Sequence, residues 1–217
     1  MTIRLAAPQR RRQILETAVR VFAEVPYSRA TTADLARAAG ISEPALYRHF
    51  SGKKDLFLGL MDEVRERLLT IWTDISDRAD SPLNALGEIG VGYLTRGHAH
   101  AGVMRVQFQA LAETEDADIR EALRRNFGAF VAFLSDLIDR AKAEGNLRAD
   151  ISTPVIAWQL MSLGLALDVI NLLGFKKEIG GDRVAEWGAH IMRSLHPSAH
   201  DREEAIALRL RENHGFS

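Results

Sequence analysis

The chain has 217 residues, of which 47% are hydrophobic, so it is long enough to bury a full core as one domain or two small ones. It contains no cysteine, which excludes disulfides and thiolate metal sites and fits a reducing cytoplasm. No apolar run precedes a cleavage site at the start, and the longest apolar stretch, 156–173, is interrupted by Gln159, Asp168 and Asn171. We therefore expect a cytoplasmic protein that does not associate with a membrane.

The net charge of −1 is unevenly distributed. Residues 1–56 hold ten Lys and Arg against five Asp and Glu, or +5, and the remainder holds 18 against 24, or −6. A basic segment joined to an acidic remainder is typical of a DNA-binding module attached to a part with another task. Arg10, Arg11 and Arg12 extend the basic segment just before the first predicted helix. Three consecutive arginines can be merely solvated, but contact with phosphates or a minor groove is the interpretation that we favour.

The first predicted helix covers 11–25. It places Ile14, Ala18, Val21 and Phe22 on one face, and Pro26 ends it. This helix is expected to pack behind the segment that follows.

Residues 31–53 predict two short helices joined by a tight turn. Thr31 or Thr32 can cap the first helix, and Gly40 ends it because glycine adopts a left-handed conformation without steric cost. Ser42 offers a hydroxyl as the next N-cap, and Pro44 lies within the following first turn. This spacing is that of a helix-turn-helix motif.

The second short helix, predicted over 43–50, has the size and polarity to enter a major groove. Leu46 and Phe50 can face inward, and a third helix begins at Lys53, where a cation beside a helix N-terminus suits a phosphate oxygen. The outward residues are Glu43, Tyr47, Arg48 and His49. An ordinary helical hairpin, whose tyrosine and histidine cover a small core, is the alternative.

The gapless pattern G-I-S-x-P-A-L-Y-x-H-F-x-x-K-x-x-L resembles the DNA-binding signature of the TetR family of bacterial transcriptional regulators. The resemblance covers about residues 9–57 and is carried by Gly40, Ile41, Ser42, Ala45, Leu46, Tyr47, His49, Phe50, Lys53 and Leu56. It implies that Tyr47 and Lys53 hold phosphates with His49 beside them, while residues 43, 44 and 48 and those near Thr32 and Ala33 face base edges.

Not every residue of this set can contact DNA in the same way. Ala33 and Ala45 can make only apolar contacts, for instance with a thymine methyl, whereas Glu43 can accept from a cytosine amine but is repelled by phosphates. The complete predicted DNA-binding set is Arg10, Arg11, Arg12, Thr31, Thr32, Ala33, Ser42, Glu43, Pro44, Ala45, Tyr47, Arg48, His49 and Lys53.

The rest of the chain has helical periodicity and no strand alternation, so we predict an all-α fold. Further helices are predicted over 53–75, 83–96, 103–113, 116–144, 155–173 and 183–195, with a break at 97–102. The predicted domains are a three-helix helix-turn-helix DNA-binding domain over 1–56, a helical effector-binding and dimerisation domain over 57–197, and a tail over 198–217. That tail is expected either to form a short amphipathic helix packed on the body or to be disordered.

The segment 155–173 is apolar around more than one face. Such a helix either lies centrally within its own subunit or is covered by a second copy, which with 183–195 would give a four-helix interface about a two-fold axis. The family resemblance favours a homodimer, which would place two recognition helices on a palindromic operator of double-stranded DNA.

A ligand pocket is predicted where aromatic and apolar residues of the body helices converge, although such residues are in most proteins simply core. Arg105, Gln109, Asp168 and Asn171 lie on largely apolar helices and need polar partners, which an Arg105–Asp168 pair, water, a ligand or surface exposure could each supply. The resemblance implies a repressor that a small, moderately apolar effector releases from DNA. The predicted ligand-binding set is Trp72, Tyr93, Met104, Arg105, Phe108, Gln109, Phe127, Phe130, Val131, Met161, Leu165 and Asp168.

An enzyme and a DNA-binding protein without a ligand are the two other classes of function. The pair His98 and His100 points apart on a helix, and Pro197 separates His196 from His200, so neither pair makes a good metal chelate. With no Cys nucleophile, G-x-S-x-G or HExxH motif, we predict no enzyme, no cofactor and no metal site. A DNA-binding dimer that a partner protein regulates, or that acts without a ligand, is the second alternative.

Overall fold

The computed structural model describes residues 6–95, 97–175 and 181–197; the side chains of 94–101 and 181 fall outside that description. The predicted tail at 198–217 therefore lies outside the described residues. Every regular element of the described part is an α-helix, which confirms the predicted all-α fold. The helices are α1 Ala7–Glu24, α2 Thr32–Ala38, α3 Glu43–Leu46, α4 Lys53–Arg78, α5 Pro82–Thr95, α6 Gly97–Ala112, α7 Ala117–Ala143, α8 Thr153–Leu172 and α9 Gly181–Leu195.

The chain divides into two compact units. The first unit comprises 1–70 and 96–129, and the second comprises 71–95 and 130–217. The first unit thus groups α6 and the N-terminal half of α7 with the helix-turn-helix segment. The domain boundary at residue 56 stays a prediction.

Local sequence signals set several helix ends as predicted. Thr31 caps α2, because its hydroxyl oxygen accepts from the Asp34 backbone N–H at 3.1 Å. Gly40 follows α2 with φ +65°, and the N–H groups of Gly40 and Ile41 bond to the carbonyls of Arg37 and Ala36. This double hydrogen bond satisfies carbonyls that a helix end leaves open, and it requires the left-handed conformation that glycine supplies.

Three predicted boundaries were wrong. Helix α1 begins at Ala7, with Pro8 in its first turn, so the three arginines lie within the helix rather than before it. The predicted break at 97–102 is absent, since α6 begins at Gly97; a Cβ at Gly102 would lie only 3.4 Å from Val19 Cγ1, so this glycine permits close helix packing. The recognition helix α3 ends at Leu46 and continues as a turn.

The first unit is built on a continuous apolar core. Ile14, Ala18 and Phe22 are buried along α1, as their spacing predicted. The Phe22 ring meets the Phe57 ring edge-on with centroids 5.1 Å apart, and the Tyr27 ring lies 4.5 Å from Phe57. This aromatic cluster joins the end of α1 to the start of α4.

The second unit has its own core. The Trp72 ring packs against Phe130 and Phe133, with centroid distances of 5.4 and 5.7 Å. Along α7, Leu134, Leu137 and Ile138 are buried. The Arg148 backbone N–H donates to the Leu195 carbonyl at 3.0 Å and so fixes the end of α9.

Helix α8 is long and apolar enough to cross a membrane by length and composition. Only 22% of its most apolar window is buried among the described residues. One such helix is weak evidence for a membrane span, because core helices of other proteins pass the same test.

Candidate nucleic-acid interface

The two helices of the motif are held at a fixed angle by buried side chains and by the Gly40 turn. Leu35 of α2, Leu46 of α3 and Phe50 after it are each at most 1% exposed. Ser42 is the N-cap of α3 in an extended conformation, but its hydroxyl makes no capping hydrogen bond. Beyond Leu46 the His49 and Phe50 N–H groups both donate to the Leu46 carbonyl, which turns the chain and directs Phe50 inward.

None of the predicted DNA-binding residues is buried. The exposed members are Arg12, Thr31, Ser42, Pro44, Tyr47 and Arg48. The half-buried members are Arg10, Arg11, Thr32, Ala33, Glu43, Ala45, His49 and Lys53. The set therefore remains accessible to a partner, and its contacts with DNA stay predictions.

A polar network links the first turn of α2 to α3. The Thr32 hydroxyl donates to the Glu43 carboxylate, and the Tyr47 hydroxyl lies 3.4 Å from Thr32 Oγ1. The Tyr47 residue is 51% exposed. Glu43 was predicted from the sequence to contact a base. In the structure its carboxylate also accepts a hydrogen bond within the motif, and this bond fixes α2 relative to α3.

Lys53 is oriented by the loop that follows α1. Its Nζ donates to the Tyr27 carbonyl oxygen at 2.8 Å and lies 4.5 Å from the centroid of the Tyr27 ring. An ammonium group has three N–H donors, so this bond leaves others for a phosphate oxygen. Tyr27 went unnoticed in the sequence, where nothing marks a backbone carbonyl as a partner for a lysine.

Two of the three arginines, Arg11 and Arg12, have different surroundings. The Arg11 guanidinium carbon lies 4.5 Å from the Phe50 ring centroid, and a Cβ at Gly59 would be only 3.0 Å from Arg11 Nη2. Arg11 is therefore packed on the core of the motif. Arg12 has a side chain that is 70% exposed and forms an ion pair with Glu63 at 3.5 Å, which contributes little to stability at such an exposed position. Arg12 thus keeps the greater freedom to meet a phosphate.

Helix α6 binds the end of α1 through two residues that the sequence had assigned to the ligand pocket. The Tyr27 N–H donates to Gln109 Oε1 at 2.7 Å, and Gln109 Nε2 donates to the Phe22 carbonyl. Arg105 Nη1 donates to the Ala23 carbonyl at 3.3 Å. These side chains satisfy carbonyls of the last turn of α1, which have no partner within their own helix.

Ion pairs and a buried amide add two further ties within the first unit. Lys54 Nζ lies 2.6 Å from Asp118 and 3.2 Å from Asp116, so α4 is linked to the start of α7. Asn126 is buried, donates to the Met61 carbonyl at 3.0 Å and accepts from Arg65 at 3.1 Å. A polar Asn amid the apolar stripe of α7 was the signal that could have identified this site.

The structure places the predicted ligand-binding residues in two groups. Met104, Arg105, Phe108, Gln109 and Phe127 belong to the first unit, and the second unit holds Trp72, Tyr93, Phe130, Val131, Met161, Leu165 and Asp168. The suggested Arg105–Asp168 pair is replaced by other partners, because Arg105 bonds to Ala23 and Asp168 accepts from the Tyr93 hydroxyl. Asn171 is exposed, which removes its need for a buried partner.

Asp168 carries a buried carboxyl group in the second unit. It is 2% exposed, and burial raises the pKa of its carboxyl to about 6 against the opposing hydrogen bond from Tyr93. Its Oδ1 atom has no hydrogen-bond partner among the described residues. Leaving a buried polar atom without a partner costs about 1–3 kcal/mol, and more for a charged group.

Comparisons with known proteins agree with this geometry. The sequence profile described as "Bacterial regulatory proteins, tetR family" matches residues 14–60. The nucleoid occlusion factor SlmA of Marinomonas sp. is 30% identical over 139 residues, which cover 64% of this chain and 71% of that protein. SlmA of Idiomarina loihiensis is 29% identical over 153 residues, covering 70% and 78%. The solved structure of a TetR-family transcriptional regulator from Cytophaga hutchinsonii has a TM-score of 0.74 at 15% identity, covering 90% and 99%.

The helix-turn-helix geometry within an all-α fold defines a DNA-binding regulator. The chain belongs to the TetR family of bacterial transcriptional regulators. This confirms the resemblance seen in the motif, and it confirms that the chain is a DNA-binding regulator rather than an enzyme. The side chains of His98 and His100, and all of His200, lie outside the described residues.

The predicted phosphate contact of Lys53 is tested by substituting Lys53 and, as a control, the neighbouring Lys54. Lys53→Ala should weaken binding to all DNA sequences and reduce the salt slope by about one counterion. Lys54→Ala is the matched control, because its ammonium is already paired with Asp116 and Asp118. Fluorescence anisotropy at several salt concentrations measures both variants. A Lys53→Ala slope equal to that of the parent contradicts the assignment.

The contact between α6 and α1 is tested at Gln109. Gln109→Leu leaves the Tyr27 N–H and the Phe22 carbonyl without their partner, so the free energy of unfolding should fall by about 1–3 kcal/mol. DNA affinity should fall while the salt slope stays unchanged, since no phosphate contact is lost. Denaturant titration and anisotropy give the two readouts. Gln107→Leu on the same helix is the control, and equal effects of the two substitutions would show that the Gln109 contact is unimportant.

Proposed function

We propose that this chain is a dimeric repressor that binds a palindromic operator and is released by a small, moderately apolar effector. The supporting observation is an exposed apolar stripe on α8, which a monomer would leave in water. DNA binding itself follows from the family; the dimer, the repression and the effector are the proposal.

The stripe consists of four residues on one side of α8. Val155 is 56% exposed, Trp158 50%, Val169 41% and Leu173 65%. With Ser162 and Ala166 between them, their spacing of three and four residues forms a continuous seam of the kind that packs against another helix. Trp187 on α9 is 36% exposed, so α9 also carries a large apolar side chain that a single chain leaves in contact with water.

A second copy of the chain is the partner that fits. Large apolar patches on single chains mark interaction surfaces, and two helices from each copy would bury this seam about a two-fold axis. The same symmetry would present two copies of α3 to two half-sites of an operator.

A route for the effector's action is provided by α4. This one continuous helix carries Lys53 near its first turn and Trp72 near its last. A ligand that favours one position of the helix would shift the population of DNA-competent states, within the limit of its differential affinity. The α6–α1 contact through Gln109 offers a second route, because it ends at Tyr27, the residue that holds Lys53.

The relatives favour a second candidate function. SlmA is described as a nucleoid occlusion factor, a role whose description names no effector. A cytoplasmic DNA-binding dimer that a partner protein regulates, or that acts without a ligand, is therefore the alternative. It predicts the same dimer and the same DNA contacts, but no release of DNA by small molecules.

The dimer is tested by a charge in the stripe. Val169→Glu should preserve the fold, since the side chain is exposed, but it would bury an unpaired ion in the interface at a cost of several kcal/mol. Sedimentation should show a monomer, and operator affinity should fall with it. Leu111→Glu on α6, where the parent residue is equally 41% exposed, is the matched control and should remain dimeric. A parent protein that is monomeric at micromolar concentration would refute the dimer.

Effector release is tested by thermodynamic linkage. Selection of genomic sites with purified protein gives the operator, and compounds handled by the products of adjacent genes are then screened. An effector that weakens operator binding should itself bind more weakly, by the same factor, when the operator is saturating; factors of about 5–150 are typical. Equal ligand affinity with and without operator would show that the ligand site does not control DNA binding. Failure of every screened compound to release DNA would favour the alternative function.

A further inference from the structure

A single carboxylate lies in an otherwise uncharged helix. Asp168 is the one charged residue of α8, and it is 2% exposed. The Tyr93 hydroxyl donates to Oδ2, whereas Oδ1 has no hydrogen-bond partner in the described part of the chain. Among the described residues no cation forms an ion pair with it. The second unit thus contains a buried acceptor whose second oxygen is unused.

The neighbouring residues leave this carboxylate in an apolar setting. Gly164, one turn earlier on α8, faces the Tyr93 ring, and a Cβ there would lie 3.5 Å from the ring carbon Cζ. Leu165 and Leu167 precede Asp168 on the helix, and Leu167 is buried. The Tyr93 ring therefore lies against Gly164, and its hydroxyl binds one carboxylate oxygen, while the other oxygen accepts from no donor of the described residues.

A packing role does not account for this arrangement. Burial disfavours the charged form and raises the pKa of the Asp168 carboxyl to about 6, so the group remains mostly ionised at neutral pH. An unpaired oxygen of a buried carboxylate costs free energy that a Leu at this position would avoid. Buried polar groups held at such a cost are typical of binding sites. An anionic ligand would be repelled, whereas a cation with N–H donors would satisfy both the charge and the open oxygen.

We propose that Oδ1 of Asp168 accepts a hydrogen bond from a protonated amine on a mainly apolar effector, while Tyr93 holds Oδ2 and so orients the carboxylate. This inference rests on the proposed effector-binding function and specifies the chemical class of the ligand. Effectors of this class are hydrophobic amines, and carboxylic acids of the same shape are excluded by charge.

The test uses two probes of nearly equal shape and the full chain. Titration calorimetry at pH 7 compares 2-(1-naphthyl)ethylamine, which is protonated, with 2-(1-naphthyl)ethanol, which is neutral. The parent should bind the amine at least about tenfold more tightly than the alcohol. Asp168→Asn should abolish this preference and leave the affinity for the alcohol within about twofold. Asp182→Asn removes an exposed carboxylate from α9 and should change neither affinity, which controls for general electrostatic attraction.

Tyr93→Phe keeps the proposal testable if Asp168→Asn fails to fold. It removes the hydroxyl donor but retains the carboxylate, so the preference for the amine should persist or increase. Absence of amine binding to the parent, equal affinity for the two probes, or an amine preference that survives in Asp168→Asn each overturns the assignment.

Operator binding, measured in the same samples, separates this inference from the proposed function. If the amine binds through Asp168 but operator affinity is unchanged, the amine site stands and the effector-released repressor fails. If both probes release the operator equally from the parent and from Asp168→Asn, the effector function stands and the amine site fails.

Discussion

The end of α1 is the constraint on which the DNA-binding unit depends. The last carbonyls of a helix have no partner within it, and those of Phe22 and Ala23 are satisfied by side chains of α6. Gln109 also accepts from the Tyr27 N–H, and the Tyr27 carbonyl in turn receives Lys53. A chain of hydrogen bonds therefore runs from α6 to the Lys53 ammonium, for which a phosphate contact is predicted. Each bond contributes only about 0.5–1.5 kcal/mol, but an unsatisfied buried group would cost more.

The helix-turn-helix motif combines an apolar interior with a polar outer face. Its interior residues fix α2 against α3, so the outer residues keep their geometry without DNA. The hydrogen bond from the Thr32 hydroxyl to the Glu43 carboxylate adds a polar tie between α2 and α3. Rigidity of this kind lowers the entropic cost of binding.

The second unit meets a different requirement. Helix α8 buries Ile156, Ala157 and Leu167 on one side and exposes its apolar seam on the other. In a single chain this seam therefore remains in contact with water. Within the same helix Asp168 is buried, and one of its oxygens is unpaired among the described residues. The seam is explained by the proposed second copy, and the carboxylate by the proposed ligand, because each feature costs free energy in an isolated chain.

The sequence by itself determined the helical class, the family and the helix ends at Thr31, Gly40 and Lys53, because capping chemistry and periodicity act over a few neighbouring residues. Tertiary structure decided the partners of polar side chains. In the sequence, Gln109, Arg105 and Asp168 all lie on largely apolar helices. In the structure Gln109 and Arg105 bind the end of α1, whereas Asp168 accepts a hydrogen bond from Tyr93, which is 75 positions away. Such pairings depend on which faces meet after packing, and no local pattern encodes a distant carbonyl or hydroxyl as the partner.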